Sequence, residues 1–179
     1  MGANSTYDID RLAEMAHAGA LRAADAFARL VDVPIRAIPP VVVPSELPRI
    51  PNDPRSAGVF FELDGRLDAS LGILFSGMAS EALVQRIVGE QVGCQGDSVV
   101  ESAIMETGNI LASHVVSAIA ERVGERLVPS IPLLAMGQAH RAFEEFVSRS
   151  AGAPTVRLES SLVSAEEPLG GILVLVSAG

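Results

Sequence analysis

The chain repeats one order of predicted elements, and this repeat limits the folds that it can adopt. The order is a long helix, a proline-marked extended segment and two strands, followed by the same series again. Apolar residues at helical spacing predict long helices over residues 8–31 and about 98–123, the second ending before Gly124. Short helices are expected over 80–89 and 140–149. Strands are predicted at 58–64, 67–75, 154–163 and 170–177.

Prolines and strand spacing decide between the fold classes. Prolines crowd the segment after each long helix, and proline can neither continue a helix nor donate within a central ladder, so irregular structure or edge strands are predicted there. Strands joined by short turns, such as the one at Gly65, predict antiparallel hairpins. The expected fold is a single, internally duplicated α+β domain over residues 1–179. Its pseudo-repeats would cover about 8–78 and 98–179, with a mostly antiparallel sheet and two long helices.

Composition argues against several classes of partner. The formal net charge is −9 and the sequence pI is near 4.7, whereas nucleic acids and anionic membranes attract basic surfaces. Cys94 is the single cysteine, so it is expected to be a small buried residue and not part of an intramolecular disulfide. No secretory pattern is present at the N-terminus, and the longest apolar run, GILVLV, is too short to span a bilayer. We expect a cytoplasmic protein with no nucleic-acid or membrane partner.

A polar stripe on the second long helix carries the functional prediction. At about 100° per residue, Ser102, Glu106 and Asn109 share one side of the helix. Pro132 follows Asn109 after 22 intervening residues. The core-facing side is predicted to carry Val100, Ile104, Thr107, Leu111, Val115 and Ala118. The polar side chains are therefore expected to point outward from a rigid element.

The first long helix repeats this constellation. Asp10, Glu14 and His17 have the same spacing, and Pro40 follows His17 after the same interval. Each position lies 92 residues before its counterpart, and the third position carries an imidazole instead of a carboxamide. A glutamate and an asparagine on an amphipathic helix would by themselves indicate only a solvated surface. A chance match of four fixed positions at one start has a probability on the order of 10⁻⁵, so a second copy with identical spacing indicates a functional surface.

These residues resemble the signature of the CheC/CheX/FliY family of bacterial and archaeal chemotaxis phosphatases. In that signature, Asp or Ser is followed by Glu, Asn and Pro at this spacing. The string ESAIMETGNILASHVVSAIAE is similar to the active helix of the family. The likeness covers nearly the whole chain and is greatest to CheC-like members, which carry two such helices in a duplicated fold. It implies a hydrolase that dephosphorylates the phospho-aspartate of a CheY-like response regulator.

The resemblance also implies roles for the residues of the second helix. Asn109 is expected to orient the attacking water, because a carboxamide both accepts and donates hydrogen bonds. Glu106 is expected to form an ion pair with an active-site lysine of the partner, and Ser102 to support the geometry of the helix or the interface. No cofactor of the protein's own is implied, because the response regulator brings its own Mg²⁺ and lysine.

The first helix and the choice of partner allow alternatives. Asp10, Glu14 and His17 form a degenerate second site that is lost, converted to binding or still active, since an imidazole can also hold water. A metal site at His17 is not expected, because the sequence has no H-x-x-x-H motif and no Cys/His cluster. The alternative functions are a non-catalytic adaptor that binds a response regulator or a CheD-like protein, and a sensor that binds a small ligand between the halves.

Overall fold

Two long helices lie side by side on one face of an eight-stranded antiparallel sheet in a computed structural model of the chain. The structure describes residues 8–44, 53–89, 96–150, 155–166 and 168–178, so Cys94 lies outside the described residues. The helices are α1 (Ile9–Val31), α2 (Gly77–Val88), α3 (Asp97–Val123) and α4 (Ala139–Ser150). The strands are β1 (Ile35–Ala37), β2 (Val41–Val42), β3 (Ala57–Asp64), β4 (Ala69–Phe75), β5 (Val128–Pro129), β6 (Leu133–Met136), β7 (Thr155–Ser164) and β8 (Gly170–Ala178). The predicted α+β class with an antiparallel sheet is confirmed.

The ends of the helices follow local chemistry. Gly124 adopts a left-handed conformation with φ of 77°, and its N–H donates to the carbonyl of Ala120, so the predicted end of α3 is confirmed. Asp8 stands at the N-cap position of α1, although its side chain makes no capping hydrogen bond. The prediction that the first short helix starts at Ser80 was wrong, because α2 begins at Gly77.

The earlier start of α2 is explained by two side chains that accept hydrogen bonds from its first turn. Ser76 Oγ accepts from the backbone N–H of Ala79 at 3.1 Å, and Asp53 Oδ2 accepts from that of Gly77 at 2.7 Å. The N–H groups of Gly77 and Arg55 both donate to the Asp53 carboxylate, and these bonds hold its pKa below the usual value. A Cβ on Gly77 would lie 2.7 Å from Arg55 Cβ, so glycine is required there.

We expect Asp53→Asn to lower the free energy of unfolding by about 1 kcal/mol at neutral pH, because a carboxamide has one accepting oxygen where both oxygens of the carboxylate accept hydrogen bonds. The pKa of Asp53 is lower in the folded chain, so its stabilising contribution is full above the unfolded pKa of about 4 and is lost as pH falls through the folded value. Urea unfolding of wild type and variant should therefore differ at neutral pH and converge as the pH falls below the lowered pKa of the folded chain. Asp25→Asn, at an exposed aspartate on α1, is the control. A difference that stays constant across this pH range would contradict the expectation.

The strands are ordered so that each half of the chain completes the sheet of the other. The order is β1-β7-β8-β4-β3-β5, with β2 also paired to β7 and β6 also paired to β3. The short strands after α1 thus extend the second hairpin, and those after α3 extend the first. Irregular structure or edge strands were predicted for the proline segments, and their described parts contain short edge strands, with Pro40 directly before β2 and Pro132 directly before β6.

The two edges of the sheet have matching hydrogen bonds. Ile38 N–H donates to the carbonyl of Ser161 at 2.8 Å, and Ser130 N–H donates to that of Glu62 at 2.8 Å. Ile38 and Ser130 are separated by the same 92 residues that separate the two polar stripes. The edges are therefore equivalent in register, although the duplication of the chain itself stays a prediction.

The sheet has a core on each face. On the first face, α1 and α3 pack against alternate residues of β3, β4, β7 and β8. On the second face, α4 places Phe143, fully buried, against Phe60, with ring centroids 5.1 Å apart. Arg157 of β7, also buried, forms an ion pair with Glu144 and ties α4 to the sheet.

Among the described segments, α3 is long and apolar enough by length and composition to cross a membrane. However, 56% of its apolar window is buried inside the protein, where the helix packs against the sheet and against α1. Its apolar character therefore fits the core helix of a soluble protein.

Candidate functional site

The polar stripe on α3 faces outward. Ser102 and Glu106 are exposed and Asn109 is half-buried, whereas Ile104 and Leu111 on the other side have no exposed surface. The remaining predicted core positions, Thr107, Val115 and Ala118, are also buried, and Val100 is half-buried. Helical periodicity therefore placed these residues on the correct sides of α3.

The side chains of Glu106 and Asn109 are uncommitted within the described residues. Neither makes a hydrogen bond or an ion pair with another described residue. Ser113, one turn further along, donates from Oγ to the backbone carbonyl of Asn109 at 2.8 Å and leaves the carboxamide of Asn109 unused. A carboxylate and a carboxamide one turn apart on a rigid helix are thus available to an external partner.

Gly108 sets how closely this part of α3 approaches the sheet, and sequence reasoning missed it. A Cβ on Gly108 would lie 2.5 Å from Val59 Cγ2 and 2.6 Å from Val59 Cβ, so the backbone of α3 rests directly on β3. The next residue is Asn109. A glycine inside a helix, which costs about 1 kcal/mol relative to alanine, was the available signal of close packing.

The first helix presents its constellation in the same way. Asp10 and Glu14 are exposed and His17 is half-buried, the same order of exposure as in their counterparts on α3. His17 differs in that its Nδ1 is buried and has no hydrogen-bond partner. Leu21, 48% exposed, stands at the position that corresponds to Ser113, so the surface beside His17 is more apolar.

The region between α1 and α3 is filled by their own side chains. A Cβ on Gly19 would lie 2.9 Å from Val115 Cγ1, and Arg22 forms an ion pair with Glu121 across the helix pair. Beneath them, Ala16 and Ile119 line a void no larger than about one water molecule. This packing leaves no room for a small ligand between the two long helices.

Within the part of the chain that the structure describes, no three His, Cys, Asp or Glu side chains are grouped closely enough to hold a metal ion. His17 lies on α1, and His114 is half-buried on α3. His140 lies on α4, against the second face of the sheet, where burial lowers its pKa. The three histidines are therefore scattered over separate elements.

The comparison with known proteins rests on structure, because no family model and no curated protein matches the sequence. The chemotaxis protein CheX of Desulfovibrio desulfuricans is similar with a TM-score of 0.69 and 14% identity, over 92% of this chain and 99% of that chain. A CheC-like superfamily protein of Shewanella sp. PV-4 gives 0.60 and 11%, over 97% of this chain and 100% of that one. These identities show a shared fold.

A third solved structure contains a partner. It is a complex of CheX with CheY, BeF3 and Mg²⁺ from Borrelia burgdorferi. This chain is similar to it with a TM-score of 0.57 and 19% identity, over 89% of this chain and 94% of that chain. In that structure, the Borrelia CheX is in complex with CheY.

Proposed function

Because the chain has the fold of the CheC-like and CheX chemotaxis proteins, we propose that it is a phosphatase that removes the phosphoryl group from the aspartate of a CheY-like response regulator. The observation that carries this proposal is the uncommitted Glu106 and Asn109 pair on the outward face of α3. The proposed place of action is the cytoplasm. The CheX–CheY complex supports a response regulator as the partner.

In the proposed reaction, Asn109 aligns a water molecule with the phosphorus–oxygen bond of the acyl phosphate. The carboxamide oxygen accepts a hydrogen bond from the water, and the amide N–H₂ can donate to the water or to a phosphoryl oxygen. The water oxygen bonds to phosphorus as the bond to the aspartate oxygen breaks. The aspartate leaves as a carboxylate, and both hydrogens of the water leave with inorganic phosphate, released as H₂PO₄⁻.

This reaction requires the chain to position a water molecule and does not require it to supply a nucleophile. An acyl phosphate is already reactive, and the Mg²⁺ and lysine that stabilise the leaving charge belong to the response regulator. Holding the water in line lowers the entropic part of the barrier. Ser102 lies one turn before Glu106 and has no His/Asp pair beside it in the described structure, so it is proposed to support the interface and not to attack.

Glu106 is proposed to hold the regulator through an ion pair with its lysine. We expect Glu106→Gln to raise the regulator concentration needed for half-maximal rate about tenfold, because one partner of a charge pair is lost. The maximal rate should fall less, since Asn109 is intact. Steady-state phosphate release over a range of regulator concentrations separates the two effects.

Glu101→Gln is the matched control for this substitution. Glu101 is exposed on the same helix but points about 140° away from Glu106, at 100° per residue. The Glu101→Gln variant should leave unchanged both the maximal rate and the regulator concentration needed for half-maximal rate. An equal effect of the two substitutions would show that net charge acts, and not a specific ion pair.

The adaptor alternative predicts binding without hydrolysis. The test mixes the chain with a phosphorylated regulator and follows complex formation and phosphate release in the same sample. A phosphatase gives a complex that dissociates as phosphate appears. A complex in which the regulator keeps its phosphoryl group would support the adaptor, and the same assay can be run with a CheD-like protein of the organism.

A further inference from the structure

The first helix carries a constellation whose spacing repeats that of α3 but whose third position has an imidazole in place of a carboxamide. Asp10, Glu14 and His17 have the spacing and the order of exposure of Ser102, Glu106 and Asn109. The edges of the sheet around the two helices also correspond in register. The backbone therefore presents Glu14 and His17 much as it presents Glu106 and Asn109.

The two ring nitrogens of His17 lie in different environments. Nδ1 is buried without a partner, whereas Nε2 is neither buried nor bonded to any described residue. A neutral imidazole has one N–H donor and one acceptor nitrogen. Buried N–H groups without partners are rarer than unsatisfied acceptors, so the proton belongs on Nε2, where water or a ligand can accept it.

This tautomer gives His17 only half of the hydrogen-bonding capacity of Asn109. Nε2–H donates, but the accessible edge of the ring offers no acceptor for the hydrogen of an attacking water. It can still donate to a phosphoryl oxygen. The imidazole at this position is therefore suited to bind a phosphoryl group and unsuited to activate the water that removes it.

We propose that Glu14 and His17 form a second site, which binds a phosphorylated response regulator without hydrolysing it. This inference rests on the proposed function of α3. Glu14 takes the anchoring position of Glu106, and the exposed Leu21 adds an apolar contact where α3 has Ser113. The chain thus hydrolyses the acyl phosphate at α3 and binds a phosphorylated regulator at α1 without hydrolysing it.

The first test uses His17→Asn in a chain that already carries Asn109→Ala. The single variant Asn109→Ala should release phosphate at the unassisted rate, although His17 is intact. Adding His17→Asn should restore acceleration to within about tenfold of the wild type, because a carboxamide now stands at the first site. Asp25→Asn in the same background, at an exposed residue of α1, should restore nothing.

The second test measures binding and does not depend on catalysis. A regulator loaded with beryllofluoride and Mg²⁺, like the CheY of the Borrelia complex, serves as the probe. The variant Glu106→Lys/Asn109→Ala should still bind it through α1. Adding Glu14→Lys should weaken that remaining binding at least tenfold. Calorimetry reports both the affinity and the number of regulators per chain.

The outcomes separate this inference from the function on which it rests. Phosphate release by Asn109→Ala that depends on His17, or no probe binding by Glu106→Lys/Asn109→Ala, would overturn the second site alone. A folded His17→Asn/Asn109→Ala protein that stays inactive would also overturn it. A wild type that neither binds the probe nor accelerates release would overturn the proposed function itself.

Discussion

Replacing Asn109 by alanine should reduce the acceleration of phosphate release about 100-fold or more, to the rate of the regulator alone. The methyl side chain can neither accept from the attacking water nor donate to it. Binding should change little, because Glu106 remains in place. The measurement is single-turnover phosphate release at saturating regulator, with affinity for the beryllofluoride-loaded regulator measured in parallel.

Two further variants make the loss interpretable. Asn109→Gln keeps the carboxamide on a longer side chain and should retain part of the acceleration, since the group is displaced and not removed. Ser117→Ala, at an exposed serine two turns further along α3, should behave as the wild type. Accelerated phosphate release by the double variant Glu14→Lys/Asn109→Ala, in which the first helix is also disabled, would show that Asn109 takes no part in the hydrolysis.

Adding one methyl group at Gly108 should lower the free energy of unfolding and disable the site together. Alanine would normally stabilise a helix interior by about 1 kcal/mol relative to glycine. Here its Cβ would lie 2.5 and 2.6 Å from atoms of Val59, a stiff β-branched side chain on β3, which is paired on both sides by β4 and β6. Overpacking of this kind costs about 1–3 kcal/mol, and the two contacts here are short, so the clash should outweigh the gain in helix propensity.

The same methyl group should also reduce phosphate release from a folded Gly108→Ala protein. To relieve the clash, α3 must lift from β3 at the residue before Asn109, and a displacement of about 1 Å can cost on the order of 100-fold in rate. The new methyl group would meet three atoms of Val59, which are Cβ, Cγ1 and Cγ2, and Val59→Ala removes the two Cγ atoms. The double variant should therefore be more stable than the sum of the two single effects predicts.

Urea unfolding measures the stabilities of these four proteins, and single-turnover release measures their activity. Ser117→Ala again serves as the control, because it raises helix propensity on the exposed side without touching the sheet. Additive losses in the double variant, or a Gly108→Ala protein as stable and active as the wild type, would contradict the assigned contact.

The features that could be predicted from sequence are those with a strong local signal. Helical spacing placed Ile104 and Leu111 in the core and Glu106 at the surface of α3, because one stripe of that helix must be covered. Gly124 ended the helix because glycine, which lacks a Cβ, adopts the left-handed conformation at little steric cost. Pro40 and Pro132 indicated edge strands for the complementary reason, since proline lacks the N–H that a central strand needs.

Other features depend on contacts between residues far apart in the chain. The start of α2 was missed because Asp53, 24 positions before Gly77, accepts from its N–H group. The contact of Gly108 with Val59 is likewise invisible without the sheet. The burial of Nδ1 in His17 follows from the packing around α1, although the sequence already showed a histidine 92 residues before Asn109.

The proposed phosphatase activity is tested by phosphate release from the phosphorylated response regulators of the same organism, with the wild-type chain at about one-tenth of the regulator concentration. The proposed role of the α3 site predicts that at least one regulator loses its phosphoryl group faster than alone, and that each chain turns over several regulators. Unchanged release from every regulator, in samples where the chain is folded, would contradict it.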